Sequence, residues 1–167
     1  MAELLPQERL QPSLLDRLSD DHPELDEDVR SKFLLNITQL RASVLRDLRW
    51  LLNTINLEAT HDLSAYPEIQ SSTVNFGIPN LTGTSAGSID DALLQRAVRR
   101  AIVNFEPRIL ANSVNVEVRL SPDQMDRQAL VLIIEGQLWA RPQPHNLYLR
   151  TELDLETGTV TVDESAR

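Results

Sequence analysis

The hydrophobic positions of the chain follow a helical period in its first half and a period of two in its second half. In residues 29–56 the apolar side chains step by three or four, with no glycine or proline between them. This spacing predicts one long amphipathic helix. A second stripe of this kind runs from Ile89 to Phe105. Because Pro107 disfavours helical backbone at Glu106, we expect the second helix to end there.

From residue 113 onward, apolar and polar positions alternate in short segments bounded by turn residues. They predict four strands, at 114–120, 130–140, 147–155 and 159–162. The second strand is apolar on both faces over 130–134, which is typical of a central strand. Short sequential strands favour an antiparallel meander. The sequence therefore predicts an α+β fold with two long helices packed on a small antiparallel C-terminal sheet.

The segment between the two helices has no regular period. A new element is expected to begin at 66–69, a short extended piece at 73–79, and a loop containing two glycines at 80–87. Residues 88–91, Ser-Ile-Asp-Asp, have the spacing of a capping box, in which the serine caps the following helix.

The first 28 residues are predicted to form an arm that precedes a single domain at 29–167. Within the arm, Ser13 can cap a short helix over 14–18, with Asp16 at its third position. So short a helix cannot hold itself together in water and has to dock, through its leucines, on its own domain or on a partner. Six carboxylates then lie between positions 20 and 28. They lack the glycine turn and spaced glutamate of a calcium loop, so a solvated acidic linker is expected.

Length and charge exclude several classes of protein. The chain has 167 residues, which fits one domain, and a formal net charge of −9. The acidic balance argues against a nucleic-acid or anionic-membrane surface. There is no cysteine, hence no disulfide, thiolate zinc site or cysteine nucleophile. No apolar run is long enough to span a bilayer, and the first residues lack the pattern of a signal peptide, so a cytoplasmic location is expected.

The sequence nominates no catalytic residue, metal site or cofactor. Its three histidines, His22, His61 and His145, are far apart, and no nucleophile elbow, phosphate loop or dinucleotide fingerprint is present. The most informative polar cluster is the triplet Glu106-Pro107-Arg108. This charge pair is either close to the core, where breaking it costs about 3–5 kcal/mol, or an exposed helix-end pair worth under about 1 kcal/mol.

Five fragments, in this order along the chain, resemble the TssE family of type VI secretion baseplate subunits. They are residues 14–18, 41–48 with 50–54, 75–79 with 81–83, 105–109, and 149–154. The resemblance covers about residues 13–162, and the glutamate-proline-arginine triplet is the signature of the family. The family is related to the lysozyme-like wedge protein of contractile phage tails.

The resemblance implies a structural role in a baseplate assembled at the inner face of the cytoplasmic membrane, without insertion into it. The expected partners are the wedge subunits TssF, TssG and TssK, and the sheath proteins TssB and TssC. The C-terminal sheet of this chain would start the first ring of that sheath. Glu106, Pro107 and Arg108 are expected to hold the wedge interface or the fold beneath it. Val160 and Val162, in the last strand, are expected to offer an exposed backbone edge to a sheath strand.

The lysozyme-like label of the family also suggests an alternative, a peptidoglycan-cleaving enzyme. The substrate of such an enzyme lies outside the cytoplasm, and no export signal is visible. Glycosidase chemistry also needs two acids at a usable separation, and the sequence singles out no such pair. The structural role is therefore the preferred interpretation.

Overall fold

The computed structural model describes residues 13–18, 37–120, 129–140 and 143–164. Its helices are α1 (Leu14–Leu18), α2 (Ile37–Leu52), α3 (Pro67–Gln70) and α4 (Asp91–Phe105), and its strands are β1 (Asn115–Leu120), β2 (Ala129–Leu138), β3 (His145–Asp154) and β4 (Val160–Glu164). The predicted α+β class is confirmed. The predicted boundary between arm and domain, after residue 28, lies outside the described residues.

The four strands form one antiparallel sheet in the order β1-β2-β3-β4. The predicted meander is therefore confirmed, with strand ends shifted by up to two residues. The second strand lies between two neighbours, as its apolar character predicted, and both Val131 and Leu132, which point to opposite faces, are buried. On one face, the sheet shares its core with the two long helices: α2 contacts α4 and β4, and α4 contacts β1.

Helix α2 ends at Leu52, four residues before the predicted end, and its predicted start at 29–36 lies outside the described residues. Two polar side chains explain the early end. Asn53 Nδ2 and Thr54 Oγ1 each donate to the backbone carbonyl four residues earlier, at 2.8 and 2.7 Å. Because these side chains satisfy carbonyls of the last turn, the backbone can leave the helix there.

Helix α4 is capped by Asp90 rather than by Ser88, so the predicted capping box is wrong. The Asp90 carboxylate accepts the Leu93 N–H at 3.0 Å, while Ser88 ends a short 3-10 helix and donates to the Ser85 carbonyl. The predicted end of the helix is confirmed, since Glu106 is its C-cap. No helix in the described ranges is long and apolar enough to cross a bilayer.

The predicted extended piece at 73–79 begins instead with a 3-10 turn, Thr73–Asn75. The buried Asn75 side chain holds this turn in place, accepting the Glu58 N–H at 2.9 Å and donating to the Gln70 carbonyl at 3.0 Å. Extended backbone follows, and Ile78 forms a parallel bridge with Ile55. The loop between the helices is therefore anchored to the end of α2.

Candidate functional site

The glutamate-proline-arginine triplet forms a buried ion pair at the end of α4. Glu106 is only 3% exposed. Its Oε1 accepts Arg108 Nε at 2.7 Å, and its Oε2 accepts Arg108 Nη2 at 2.5 Å. Such a two-point contact between guanidinium and carboxylate is both strong and geometrically specific. The sequence left the choice between a buried and an exposed pair open, and the structure shows the buried one.

Arg108 also joins this helix end to α2. Its Nη1 donates to Ser43 Oγ at 2.9 Å, and its Nη2 donates to Asp47 Oδ2 at 2.5 Å. Burial alone would lower the pKa of Arg108, but the hydrogen bonds and negative charges of Glu106 and Asp47 outweigh it and raise that pKa above its usual value. The guanidinium is therefore held in its charged form between two carboxylates.

The backbone of the same triplet is tied to the end of β2. The Arg108 carbonyl accepts the Trp139 N–H at 2.7 Å, and the Leu110 N–H donates to the Gln137 carbonyl at 2.9 Å. Between these contacts Ile109 forms an antiparallel bridge with Leu138. The triplet thus lies at a three-way junction of α2, α4 and the sheet.

Asp16 binds helix α1 to the same part of α2 that Arg108 contacts. Ser13 and Asp16 cap the helix reciprocally, as the sequence predicted: the Asp16 N–H donates to Ser13 Oγ, and the Ser13 N–H to Asp16 Oδ2, both at 3.2 Å. Asp16 also accepts Ser43 Oγ at 2.6 Å and forms an ion pair with Arg46. Burial raises the pKa of Asp16, but the bonds from Arg46, Ser43 and Ser13 outweigh it and hold that pKa well below its usual range.

These contacts form one cluster, which we call the charged network. Its members are Asp16, Ser43, Arg46, Asp47, Glu106 and Arg108. Negative and positive side chains alternate through it, because Arg46 Nε donates to Asp47 Oδ1 at 2.9 Å and so connects the α1 contact to the Arg108 contact. The network brings together three segments that are far apart in the sequence.

An apolar groove of about 530 Å³ lies beside the charged network. Leu14 and Leu15 of α1, Trp50 of α2 and Phe76 line it. We call it the α1 groove. Because α1 is held through Asp16, its leucines are left outside: Leu14 is 69% exposed and Leu18 is 75% exposed. The helix docks on its own domain by its polar side and presents its apolar side to solvent.

The outer backbone edge of β4 is covered by α2 at the two valines singled out from the sequence. The Val160 N–H donates to Asn53 Oδ1, and Asn53 Nδ2 donates to the Val160 carbonyl, both at 2.9 Å. Arg49 Nη2 donates to the Val162 carbonyl at 3.1 Å. Both valine side chains are buried in the core. A strand that paired with β4 here would first have to displace these side chains.

The opposite edge of the sheet, on β1, is bonded by a side chain only at its start, where Arg99 Nε of α4 donates to the Val114 carbonyl at 3.0 Å, among the residues that the structure describes. Gln137 of β2 directs its N–H and carbonyl toward the β1 side, bonding Ser113 Oγ and the Leu110 N–H. Since antiparallel strands alternate, the backbone groups of Val116 and Val118 must point away from β2. In the part of the chain that the structure describes, no residue hydrogen-bonds to them.

The model of the family described as baseplate wedge protein gp25 matches residues 38–143. The chain belongs to this family. The matched range includes α2, α4, the glutamate-proline-arginine triplet, β1 and β2. No curated protein and no solved structure matches the chain. The TssE-like resemblance is therefore confirmed at the level of the family, which is one of structural proteins of phage-tail-like baseplates.

The carboxylates of this baseplate wedge protein that lie at the junction are bound by arginine. Both oxygens of Glu106 accept from Arg108, and Asp47 accepts from two arginines. Within the described ranges, no group of three or more His, Cys, Asp or Glu side chains is arranged to hold a metal ion. His61 lies beside Thr60, His145 begins β3, and His22 lies outside the described residues.

Sequence reasoning missed half of the charged network. The sequence predicts only a capping role for Asp16, and it predicts no separate role for Ser43, Arg46 and Asp47. A local signal did exist, since three polar residues at spacings of three and four share one face of α2. That signal did not identify their partners, because Arg108 lies 61 residues from Asp47 and 65 from Ser43.

Proposed function

We propose that this chain is a structural subunit of a type VI secretion baseplate at the inner face of the cytoplasmic membrane. In this proposal it binds the TssF–TssG pair, in the same wedge as TssK, and starts the TssB/TssC sheath. One observation supports the wedge contact. Three of the fragments that resemble the TssE family, residues 14–18, 41–48 and 105–109, meet in the charged network, and the exposed leucines of α1 lie beside it. Membership of the baseplate wedge family supports the role.

The contact with the wedge is assigned to the exposed leucines of α1 and to the α1 groove. Contiguous large apolar side chains that stay in solvent mark protein interaction sites. Leu14 and the half-exposed Trp50 both line the α1 groove, and Leu18, one helical turn after Leu14, is also exposed. Arg46, which lies 5.3 Å from the centre of the Trp50 ring, extends the network to this surface. Glu106 and Arg108 lie beneath it, so their role is to position α1.

Replacing Leu14 and Leu18 together by aspartate should weaken binding to co-expressed TssF–TssG at least about tenfold. Both side chains are mostly exposed, so the fold should survive, while charges would enter an apolar contact. Val74→Asp is the matched control, because Val74 is also well exposed but lies outside the α1 groove. The readout is a titrated pull-down, with thermal unfolding to verify folding. If TssF–TssG bound the leucine variant as well as it bound Val74→Asp, the leucines would not form part of the wedge contact.

Strand addition by a sheath subunit is assigned to the β1 edge. An unpaired strand edge is a template for another strand. The outward backbone groups of Val116 and Val118 have no hydrogen-bond partner among the described residues, and Arg99 bonds only the carbonyl of Val114 before them. On β4, by contrast, Asn53 and Arg49 already occupy the groups that the incoming strand would need. This proposal therefore assigns sheath pairing to the β1 edge instead of the β4 edge that the sequence predicted.

Proline at Val118 should stop sheath assembly, and proline at Val160 should not. Proline removes a backbone donor, and at Val118 the lost N–H is one that an incoming strand would use. At Val160 the lost N–H is one that bonds Asn53, so that variant should lose stability but keep its β1 edge.

Fluorescent sheath formation in cells carrying each proline variant measures this difference, with circular dichroism to verify that both variants fold. Sheaths that form with Val118→Pro but not with Val160→Pro would assign strand pairing to the β4 edge. Normal sheaths with both variants would contradict strand addition altogether.

A further inference from the structure

The outer edge of β1 lacks the backbone features that usually keep a strand edge from pairing. The strand contains no proline or glycine, and its ladder to β2 runs from Asn115 to Leu120 without a bulge. Proteins commonly protect an edge with a proline, a bulge or a covering segment. The side chain of Arg99 bonds only the Val114 carbonyl, which precedes the strand. Within the described ranges, the backbone edge from Val116 onward is therefore open to a further strand.

The charged side chains of β1 have both signs and lie on the face of the sheet away from the helices. Glu117 accepts from Arg119 through two contacts, at 2.9 and 3.0 Å, and these side chains are 47% and 60% exposed. Val116 and Val118 alternate with them and are buried in the core. A strand that adds to this edge would therefore lie next to one negative and one positive side chain.

The backbone of β1 restricts how a second copy of the strand could pair with the first. The backbone groups of Val116 and Val118 point outward, so a two-fold antiparallel pair has to join even-numbered positions to even-numbered positions. One such register places Val118 opposite the partner's Val118. In that register Glu117 lies opposite the partner's Arg119, and Arg119 lies opposite the partner's Glu117.

The neighbouring registers are disfavoured by charge. A shift in one direction places Glu117 opposite the partner's Glu117, and a shift in the other direction places Arg119 opposite the partner's Arg119. Like charges directly opposite each other on paired strands are destabilising, whereas opposite charges are stabilising. The charges of the strand therefore select the register that is centred on Val118.

We infer that the β1 edge pairs with the β1 edge of a second copy of this chain, in the register centred on Val118. Each charge then has an opposite charge as its neighbour in its own strand and another in the partner strand. Complementarity of this kind fixes the register of an interface. Because an edge contact buries less surface than a standard interface, the dimer is expected to be weak, with a dissociation constant of about 10–100 μM.

This inference concerns the same edge that the proposed function assigns to a sheath strand, but it names a different partner. Self-pairing covers the edge in the free chain, so a dimer has to dissociate before a sheath strand can add. The dimer requires no baseplate or sheath protein. The purified chain alone is therefore sufficient for the test.

Sedimentation equilibrium of the purified chain between about 1 and 500 μM measures the pairing. The mass should rise from 18.9 kDa toward twice that value as the concentration increases. Glu117→Arg places an arginine opposite the partner's Arg119, and Arg119→Glu places a glutamate opposite the partner's Glu117. Each variant alone should therefore dimerise at least about tenfold more weakly. Both side chains are exposed, so both variants should fold.

An equimolar mixture of these two variants is the decisive arm of the experiment. In a mixed pair, one chain carries arginine at both positions and the other carries glutamate at both, so every cross-strand contact again joins opposite charges. The mixture should therefore regain the dimer. Glu152→Arg is the matched control, because Glu152 is exposed on the same face of the sheet but lies on β3, away from the edge. This control should dimerise like the wild type.

Three results would overturn the inference. They are a mass that stays at 18.9 kDa over the whole concentration range, single variants that dimerise as tightly as the wild type, and a mixture that associates no more than its components do. An incoming sheath strand does not require self-pairing, so each of these results leaves the sheath experiment with Val118→Pro standing. A dimer that responds to charge as described would likewise remain if sheath pairing failed.

Discussion

Arg108→Ala should lower the free energy of unfolding by about 3–5 kcal/mol, because it leaves buried carboxylates without their counter-charge. Glu106 is 3% exposed and Asp47 is largely covered, and Arg108 bonds to both. Removing one partner of a buried pair leaves the other partner uncompensated, which costs far more than losing an exposed pair. The loss should be accompanied by weaker wedge binding, since Arg108 also holds Ser43, to which α1 is bonded.

Urea unfolding of the purified chain, followed by Trp fluorescence, measures this loss. Arg119→Ala is the matched control: Arg119 is bonded to a neighbouring carboxylate, Glu117, in the same two-point manner, but on the solvent face of β1. That control should unfold at the same urea concentration as the wild type. A loss for Arg108→Ala no larger than that of the control would show that the charged network does not hold the junction.

Gly77→Ala should cost about 3 kcal/mol, from a positive φ and a steric clash acting together. Gly77 has a φ of +126°, and a Cβ atom there would lie 2.3 Å from the Thr54 carbonyl oxygen. The same oxygen accepts the Ile78 N–H at 2.9 Å, so the chain passes here against the end of α2. Neither backbone can move away without losing that bond.

Gly83→Ala is the control for this position. Gly83 also has a positive φ, +77°, but a Cβ atom there would meet nothing within 4 Å. It should therefore cost only the strain of the backbone, about 1 kcal/mol. Equal losses in thermal unfolding of the two variants would mean that the close approach to Thr54 contributes nothing.

The fold could be predicted from the sequence where the signal is periodic and local. The apolar steps of α2 and α4, and the alternation along β1 and β3, are set by which face of an element is buried. Element ends were less accurate, because competing polar side chains decide them. Asp90 replaced Ser88 as the cap of α4, and Asn53 helped to end α2 early.

The candidate site could be predicted only in part, because its contacts are long-range. The triplet was visible as a cluster, but its burial depends on Ser43 and Asp47, more than 60 residues away in the chain. The β4 edge looked exposed because nothing near it in sequence covers it. Its cover, Asn53, lies 107 residues from Val160.

The most direct test of the structural role is reconstitution with purified components. The chain, of 18.9 kDa, would be mixed with purified TssF–TssG and separated by size exclusion with light scattering. The account predicts that it co-elutes with the pair as one complex, and that the Leu14 and Leu18 aspartate variant elutes alone. Wild-type chain that elutes alone at every concentration tested would contradict the account.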